Sequence, residues 1–285
     1  MTKGYLIFAQ NNDDNYLKMA YVLALSIKLT QSQIHSVSLV TDSLDSIPDK
    51  FNLVFDNIIP ITEDLSANTE WKIENRSKLY HLTPYDETVI LDADMLFLSD
   101  ISSWWDYLSK NHNNMCFVTK SITYRNEPTD DLYYRQAFVD NKLPNLYSAF
   151  FYFKKTDLNL AFWNTVEDIV QDWKVFYSRF LPNSTPKVLS MDVTFALAAK
   201  IHGIEDEIAS AFDYPTFVHM KPFAQRWKNT HDKWSNMVGT YMNKRGQLKI
   251  GNYQQFGIFH YTEKEFLTDE MFSIFESLYK EKLDG

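Results

Sequence analysis

Glycine is scarce in this chain: seven residues of 285, with none between Gly4 and Gly203. Over most of the sequence that gap excludes the G-x-G-x-x-G dinucleotide fingerprint, the P-loop and the G-x-S-x-G nucleophile elbow. A nucleotide bound there must be held by something other than a glycine loop. Cysteine is scarcer still. Cys116 stands alone in the apolar run Met115-Cys116-Phe117-Val118, so no intrachain disulfide can form and the thiol reads as a small core side chain. Positive charge is also short, 28 basic against 37 acidic residues for a net charge of −9. This argues against broad nucleic-acid binding, which needs a basic stripe to release counterions. No apolar run approaches the roughly 18 residues of a membrane span, and Met1 to Tyr5 enter a strand-like segment without a signal-peptide core. The expectation is a cytoplasmic protein with no transmembrane segment.

Apolar side chains are plentiful by contrast, at 45% of the chain with 16% aromatic, ample for a large core. Tyr5 to Ala9 reads as a buried strand, followed by a polar turn from Gln10 to Asn15. Tyr16, Met19, Ala20, Leu23, Ala24 and Ile27 then recur at helical spacing. Further strands are expected at 37–41, within 53–61, and at 88–91, 115–119, 149–153, 217–219 and 258–260. Helices are expected at 79–82, 191–201 and 269–283. Short apolar strands alternating with helices predict an α/β fold with a mainly parallel central sheet flanked by helices. We read 1–222 as the main domain and 223–285 as a C-terminal extension packed on it.

The most informative segment is Val89-Ile90-Leu91-Asp92-Ala93-Asp94-Met95-Leu96-Phe97-Leu98. Two carboxylates separated by one residue stand where a buried strand ends, which is where open parallel sheets bind ligands. If the backbone stays extended, Asp92 and Asp94 point to the same side. Paired hard oxygen donors of this kind suit Mg²⁺ or Mn²⁺. A capping aspartate beside a solvated one is the structural alternative.

The run Ser77-Lys78-Leu79, Leu82-Thr83-Pro84-Tyr85, Val89 to Asp94 and Leu98-Ser99-Asp100-Ile101 resembles the centre of family 8 glycosyltransferases. The resemblance implies a GT-A, Rossmann-like nucleotide-diphospho-sugar transferase fold. It also implies transfer of a hexose from a nucleotide diphosphate sugar, expected to be UDP-linked, with retention of configuration. The metal would be Mn²⁺ or Mg²⁺ on Asp92 and Asp94, with Ala93 at the donor. The first strand and helix also match, placing Ala9, Gln10, Asn11 and Tyr16 around the nucleotide, while Arg76 and Lys78 fall where the family contacts the donor. Tyr147-Ser148-Ala149 resembles the family's Asn-Ser-Gly strand with two replacements. Asp192-Val193 resembles its Asp-Gln helix start, with Asp192 on the transferred sugar and Val193 in place of the glutamine. The family's metal histidine, followed by a diphosphate lysine, has two partial matches here: His260 with Lys264, which we favour, and His219 with Lys221.

The resulting expectation is a metal-dependent glycosyltransferase. Its acceptor would be a saccharide, lipid-linked glycan or protein rather than nucleic acid. Two other readings compete: a catalytically altered nucleotide-sugar or carbohydrate-binding protein, and a haloacid-dehalogenase-like phosphatase. The phosphatase places its D-x-D near the N-terminus, whereas here the pair arrives at residue 92.

Overall fold

A computed structural model of the chain describes residues 1–10, 16–33, 35–42, 44–66, 72–111, 114–129, 135–210, 215–228 and 231–285. The first half contains β1 (Lys3–Ala9), α1 (Tyr16–Thr30), β2 (Ser36–Thr41), β3 (Asn57–Pro60), α2 (Leu79–Leu82), β4 (Glu87–Asp92), β5 (Met95–Phe97), α3 (Ser103–Asn111) and β6 (Met115–Val118). There follow α4 (Gln136–Asn141), β7 (Tyr147–Lys154), α5 (Asp157–Gln171), α6 (Trp173–Phe180), α7 (Met191–His202) and α8 (Glu205–Ile208). The last part holds β8 (Val218–His219), α9 (Trp234–Met237), β9 (Thr240–Met242), β10 (Leu248–Ile250), β11 (Tyr253–Gln254), β12 (Ile258–His260) and α10 (Asp269–Asp284).

Six strands form the central sheet in the order β3-β2-β1-β4-β7-β6. β7 runs against both of its neighbours, while the other pairings are parallel. The mainly parallel sheet expected from the alternation of apolar segments is therefore present. Burial explains why its strands read as continuous apolar runs: helices cover both faces. Tyr5, Ile7 and Ala9 of β1 join the core under α1 and α10, whereas Leu6 and Phe8 join the one under α5 and α7. Val89 and Leu91 of β4 alternate with Ile90 in the same way. α1 is buried at Leu17 and at every residue from Met19 to Ile27, more completely than a one-sided amphipathic helix requires. It is wedged between the sheet and α10, with β5 also against it.

A second sheet, β5-β12-β8, matters more for function. β12 lies between strands that precede it by very different sequence distances, antiparallel to β5 and parallel to β8. The segment 223–285 thus supplies the middle strand of a sheet whose edges come from 95–97 and 218–219. The remaining strands, β9 to β11, make a small antiparallel sheet. Gly203 ends α7 in the left-handed conformation, φ +66°, where a β-carbon would be strained. Among the described residues no helix is long and apolar enough to cross a membrane.

Candidate active site

β4 ends at Asp92, and Ala93-Asp94 form a turn into β5. The extended backbone assumed for the pair from sequence is not what unites them. The turn does, and β12 completes the arrangement. His260 pairs with Met95 on one side and His219 on the other, and the Tyr261 N–H donates to the Asp94 carbonyl at 3.1 Å. His260 Nε2 consequently lies 3.1 Å from Asp94 Oδ1. One ligand atom from each of Asp92, Asp94 and His260 can be chosen so that all lie within 4.8 Å of one another. Two carboxylates and an imidazole form a hard, borderline donor set of the kind that holds Mn²⁺ or Mg²⁺.

Arg76, from the turn Glu74–Lys78, places Nη1 2.6 Å from Asp92 Oδ1 and lays its guanidinium 5.5 Å from the Phe8 ring centroid. Burial pushes the Asp92 carboxyl upward; the Arg76 charge opposes that push and the Asp94 charge adds to it. Asp94 feels the same burial, but His260, as a charge and as a hydrogen-bond partner, outweighs it and holds the carboxyl below its usual range. The two acids are therefore inequivalent.

Two cavities meet at this cluster. The larger, about 480 Å³, is walled by Phe8, Gln10, Tyr16, Ile73, Arg76, Ala93 and Asp94. The smaller, about 320 Å³, is walled by Arg135, Gln136, Tyr147, Pro186 and His219. Asp92, Ser148, Ser190, Asp192, Lys221 and His260 border both. The candidate metal centre thus sits on a shared wall, open to a ligand on either side.

No family model matches the sequence, and no curated protein sequence matches it. The fold, however, is shared with solved glycosyltransferases. The galactosyltransferase LgtC, in complex with donor and acceptor sugar analogs, superposes with a TM-score of 0.51 at 13% identity, covering 98% of this chain and 95% of that one. Mouse xyloside xylosyltransferase 1, in its apo form, gives a TM-score of 0.51 at 9% identity, with 91% and 97% covered. The chain has the GT-A fold. At these identities the likeness speaks to architecture alone, and at that level it agrees with the resemblance read from the sequence.

Within the GT-A architecture the residues singled out from sequence separate clearly. Gln10, Tyr16, Arg76 and Ala93 face the larger cavity, and Lys221 borders both. Ala9 is buried at the end of β1 and belongs to neither wall, and Asn11, with most of the Gln10–Asn15 turn, lies outside the described residues. Lys78 donates to the Glu63 carbonyl at 2.6 Å, away from both cavities. Lys264 sets its ammonium 4.5 Å from the Tyr16 ring centroid and lines neither cavity. His219 stands apart from the candidate triad. Its ring lies 5.1 Å from that of His260, and burial drives its imidazole well below the ordinary value, so it is neutral. Its place is the smaller cavity.

Asp192 occupies the first turn of α7, as a helix-start carboxylate should, and also faces both cavities. Its Oδ1 accepts from the Ser148 N–H at 2.8 Å and the Ser148 hydroxyl at 2.6 Å, and its Oδ2 from Arg135 Nη1 at 3.0 Å. Burial works against the charged form, yet Arg135 and Ser148 hold the carboxyl below its usual range. Arg135 is itself buried, with its guanidinium carbon 4.0 Å from the Phe138 and 4.4 Å from the Tyr147 ring centroids. Sequence reading passes over Arg135 because it follows no recognisable pattern. It likewise gives no role to Asn75, although that side chain is fully buried.

Proposed function

We propose that the protein is a metal-dependent glycosyltransferase that moves a hexose from a nucleotide diphosphate sugar, UDP-linked, to a hydroxyl-bearing acceptor with retention of configuration. The observation that carries this reading is the convergence of Asp92, Asp94 and His260 on the wall between two cavities. Asp92, Asp94 and His260 would hold Mn²⁺ or Mg²⁺, which when bound supplies Lewis-acid stabilisation of charge on the departing diphosphate. Arg76 and Lys221 add fixed positive charge at the same wall. Tyr16 and Gln10 line the side assigned to the nucleoside, and Asp192, held by Arg135 and Ser148, offers its remaining lone pair to a sugar hydroxyl. The smaller cavity takes the acceptor, a saccharide, lipid-linked glycan or protein side chain. A reducing, cytoplasmic setting suits the single buried Cys116.

The test is release of nucleoside diphosphate from a panel of nucleotide sugars with and without Mn²⁺. We expect metal-dependent turnover of one donor, lost in Asp92→Asn and Asp94→Asn. Undiminished turnover in both variants, or none in the wild type, overturns the assignment. A second reading, a nucleotide-sugar-binding protein without turnover, is favoured by Val193, a buried apolar side chain where the resembled family carries glutamine. Metal-dependent binding of nucleotide sugars with no product released would select it.

A further inference from the structure

The small antiparallel sheet β9–β11 turns one face to the core and the other to solvent. Met242, Leu248 and Ile250 point inward and are buried. Tyr241 lies opposite Lys249, and Lys249 opposite Gln254, so these three share the outer face. Two further bonds carry the ladder toward the hairpin tip, from the Asn243 N–H to the Gln247 carbonyl at 3.1 Å and from the Gln255 N–H to the Leu248 carbonyl at 2.9 Å. Gln255 is buried and donates from its amide to the Tyr124 carbonyl at 2.9 Å, which sends the next side chain, Phe256, to the outer face. A solvated sheet face is ordinarily polar. Here Tyr241 is 63% and Phe256 64% exposed. At the tip, Asn243 Oδ1 accepts from the Arg245 and Gln247 N–H groups at 2.9 and 3.1 Å, and this stapled turn presents the exposed Lys244 and Arg245.

The charge of this face is opposite to that of the chain as a whole. The chain carries −9, yet no Asp or Glu occurs between Asp232 and Glu263. Surface cations elsewhere are matched by acids, Lys18 by Asp269, Lys28 by Asp56 and Lys50 by Glu276. Among the described residues, Lys244, Arg245 and Lys249 form no ion pair. We propose that this face is a docking surface for an anionic lipid bilayer. The three cations meet headgroup phosphates while the Tyr241 and Phe256 rings leave water at the interface. Three cations are few for a soluble polyanion, which is held mainly by counterion release. Phe256 has no hydrogen-bonding group to offer, and its ring gains from entering the acyl boundary. Negative charge elsewhere on the chain turns this face toward the membrane. Phe256 stands four residues before His260, so the backbone holds the two Cα atoms within about 14 Å. A docked molecule therefore keeps its candidate metal centre close to the headgroups.

The experiment is co-sedimentation of the full chain, without metal or nucleotide, on vesicles of phosphatidylcholine alone or mixed equally with phosphatidylglycerol. One cation at an anionic bilayer is worth roughly fivefold in partitioning, so three give a preference of about a hundredfold for the mixed vesicles, falling as salt is raised. On mixed vesicles, Lys244→Gln with Arg245→Gln should lose about twentyfold, and Tyr241→Ser with Phe256→Ser about tenfold. Lys142→Gln with Lys280→Gln removes the same charge from exposed positions elsewhere and should lose less than about threefold. All of these side chains are exposed, so the variants should keep the wild-type Tm. Equal partitioning of the wild type onto both vesicles, or losses in the hairpin variants no greater than in the control, overturn the proposal. Equally tight binding of polyuridylate, undiminished by Tyr241→Ser with Phe256→Ser, also overturns it and assigns the face to a soluble polyanion. With neither metal nor nucleotide present, each of these outcomes leaves the glycosyltransferase reading intact.

Discussion

The cluster of Asp92, Asp94 and His260 makes a quantitative prediction about stability. A cation that binds only the folded chain stabilises it by RT ln(1 + [L]/Kd), about 2.7 kcal/mol when free metal is a hundredfold above Kd. Unfolding entropy is roughly 2.1 cal/mol/K per residue, so a 285-residue chain carries about 0.6 kcal/mol/K at its midpoint. Saturating Mn²⁺ should therefore raise Tm by about 4 to 5 °C, reversed by chelation. The assay is differential scanning fluorimetry of metal-stripped protein across a Mn²⁺ titration, repeated for Asp94→Asn and His260→Ala. Asp94→Asn keeps the volume but gives up a charged donor 3.1 Å from His260. His260→Ala empties a buried site and lowers the starting Tm, so the quantity read is the Mn²⁺ increment, not the baseline. Both increments should shrink to below about 1 °C, since two of the three donors then remain and affinity falls by orders of magnitude. An increment in either variant equal to that of the wild type, or no increment in the wild type, refutes the reasoning.

Arg76 competes with a cation for Asp92 at 2.6 Å, so Arg76→Met should enlarge the Mn²⁺ increment measured without nucleotide while weakening diphosphate binding, both readable by calorimetry. Arg135→Met removes the guanidinium bonded to Asp192 and leaves that carboxylate only its two Ser148 bonds and the more distant Lys221 charge; a loss of about 3 kcal/mol is expected, seen as a Tm lower by about 5 °C. Glu87 is buried and accepts from Ser109 Oγ at 2.5 Å and Tyr152 Oη at 2.7 Å; these bonds outweigh its burial and hold it below its ordinary 4.5. Because its folded value is depressed, its contribution is present above pH 4.5 and is lost as pH falls through the folded value, so the gap in urea midpoint between wild type and Glu87→Gln should be full at pH 6 and narrow as pH falls below 4.5. Gly203→Ala meets no neighbouring atom within 4 Å, so its cost of about 1 kcal/mol should be purely that of the left-handed backbone, measured as a urea midpoint shift with unchanged m.

What could be read from sequence follows the range of the forces involved. β1, β2 and β4 announce themselves because strands covered on both faces are rich in apolar residues, and the charge that ends the run Val89-Ile90-Leu91 at Asp92 is conspicuous for the same reason. The histidine was harder, since His219 and His260 have equivalent local surroundings. Only the pairing of β12 between β5 and β8 sets one beside Asp94 and turns the other to the smaller cavity. α5 goes unread among the expected helices, although Phe162, Val166, Ile169 and Val170 are spaced as a helix face and Thr156 caps it. Arg135 and Asn75 left none, because a buried polar partner is chosen by its neighbours in space and carries no period along the chain.

The central place of β12 also sets an order of events during synthesis. A nascent chain that has not yet emerged past residue 260 holds both aspartates without the imidazole and leaves β5 with an unpaired edge. The central sheet can assemble earlier, since its last strand to be made ends at Lys154. The candidate cation site is therefore withheld from a half-made protein. On the ribosome, the central sheet can precede the third donor.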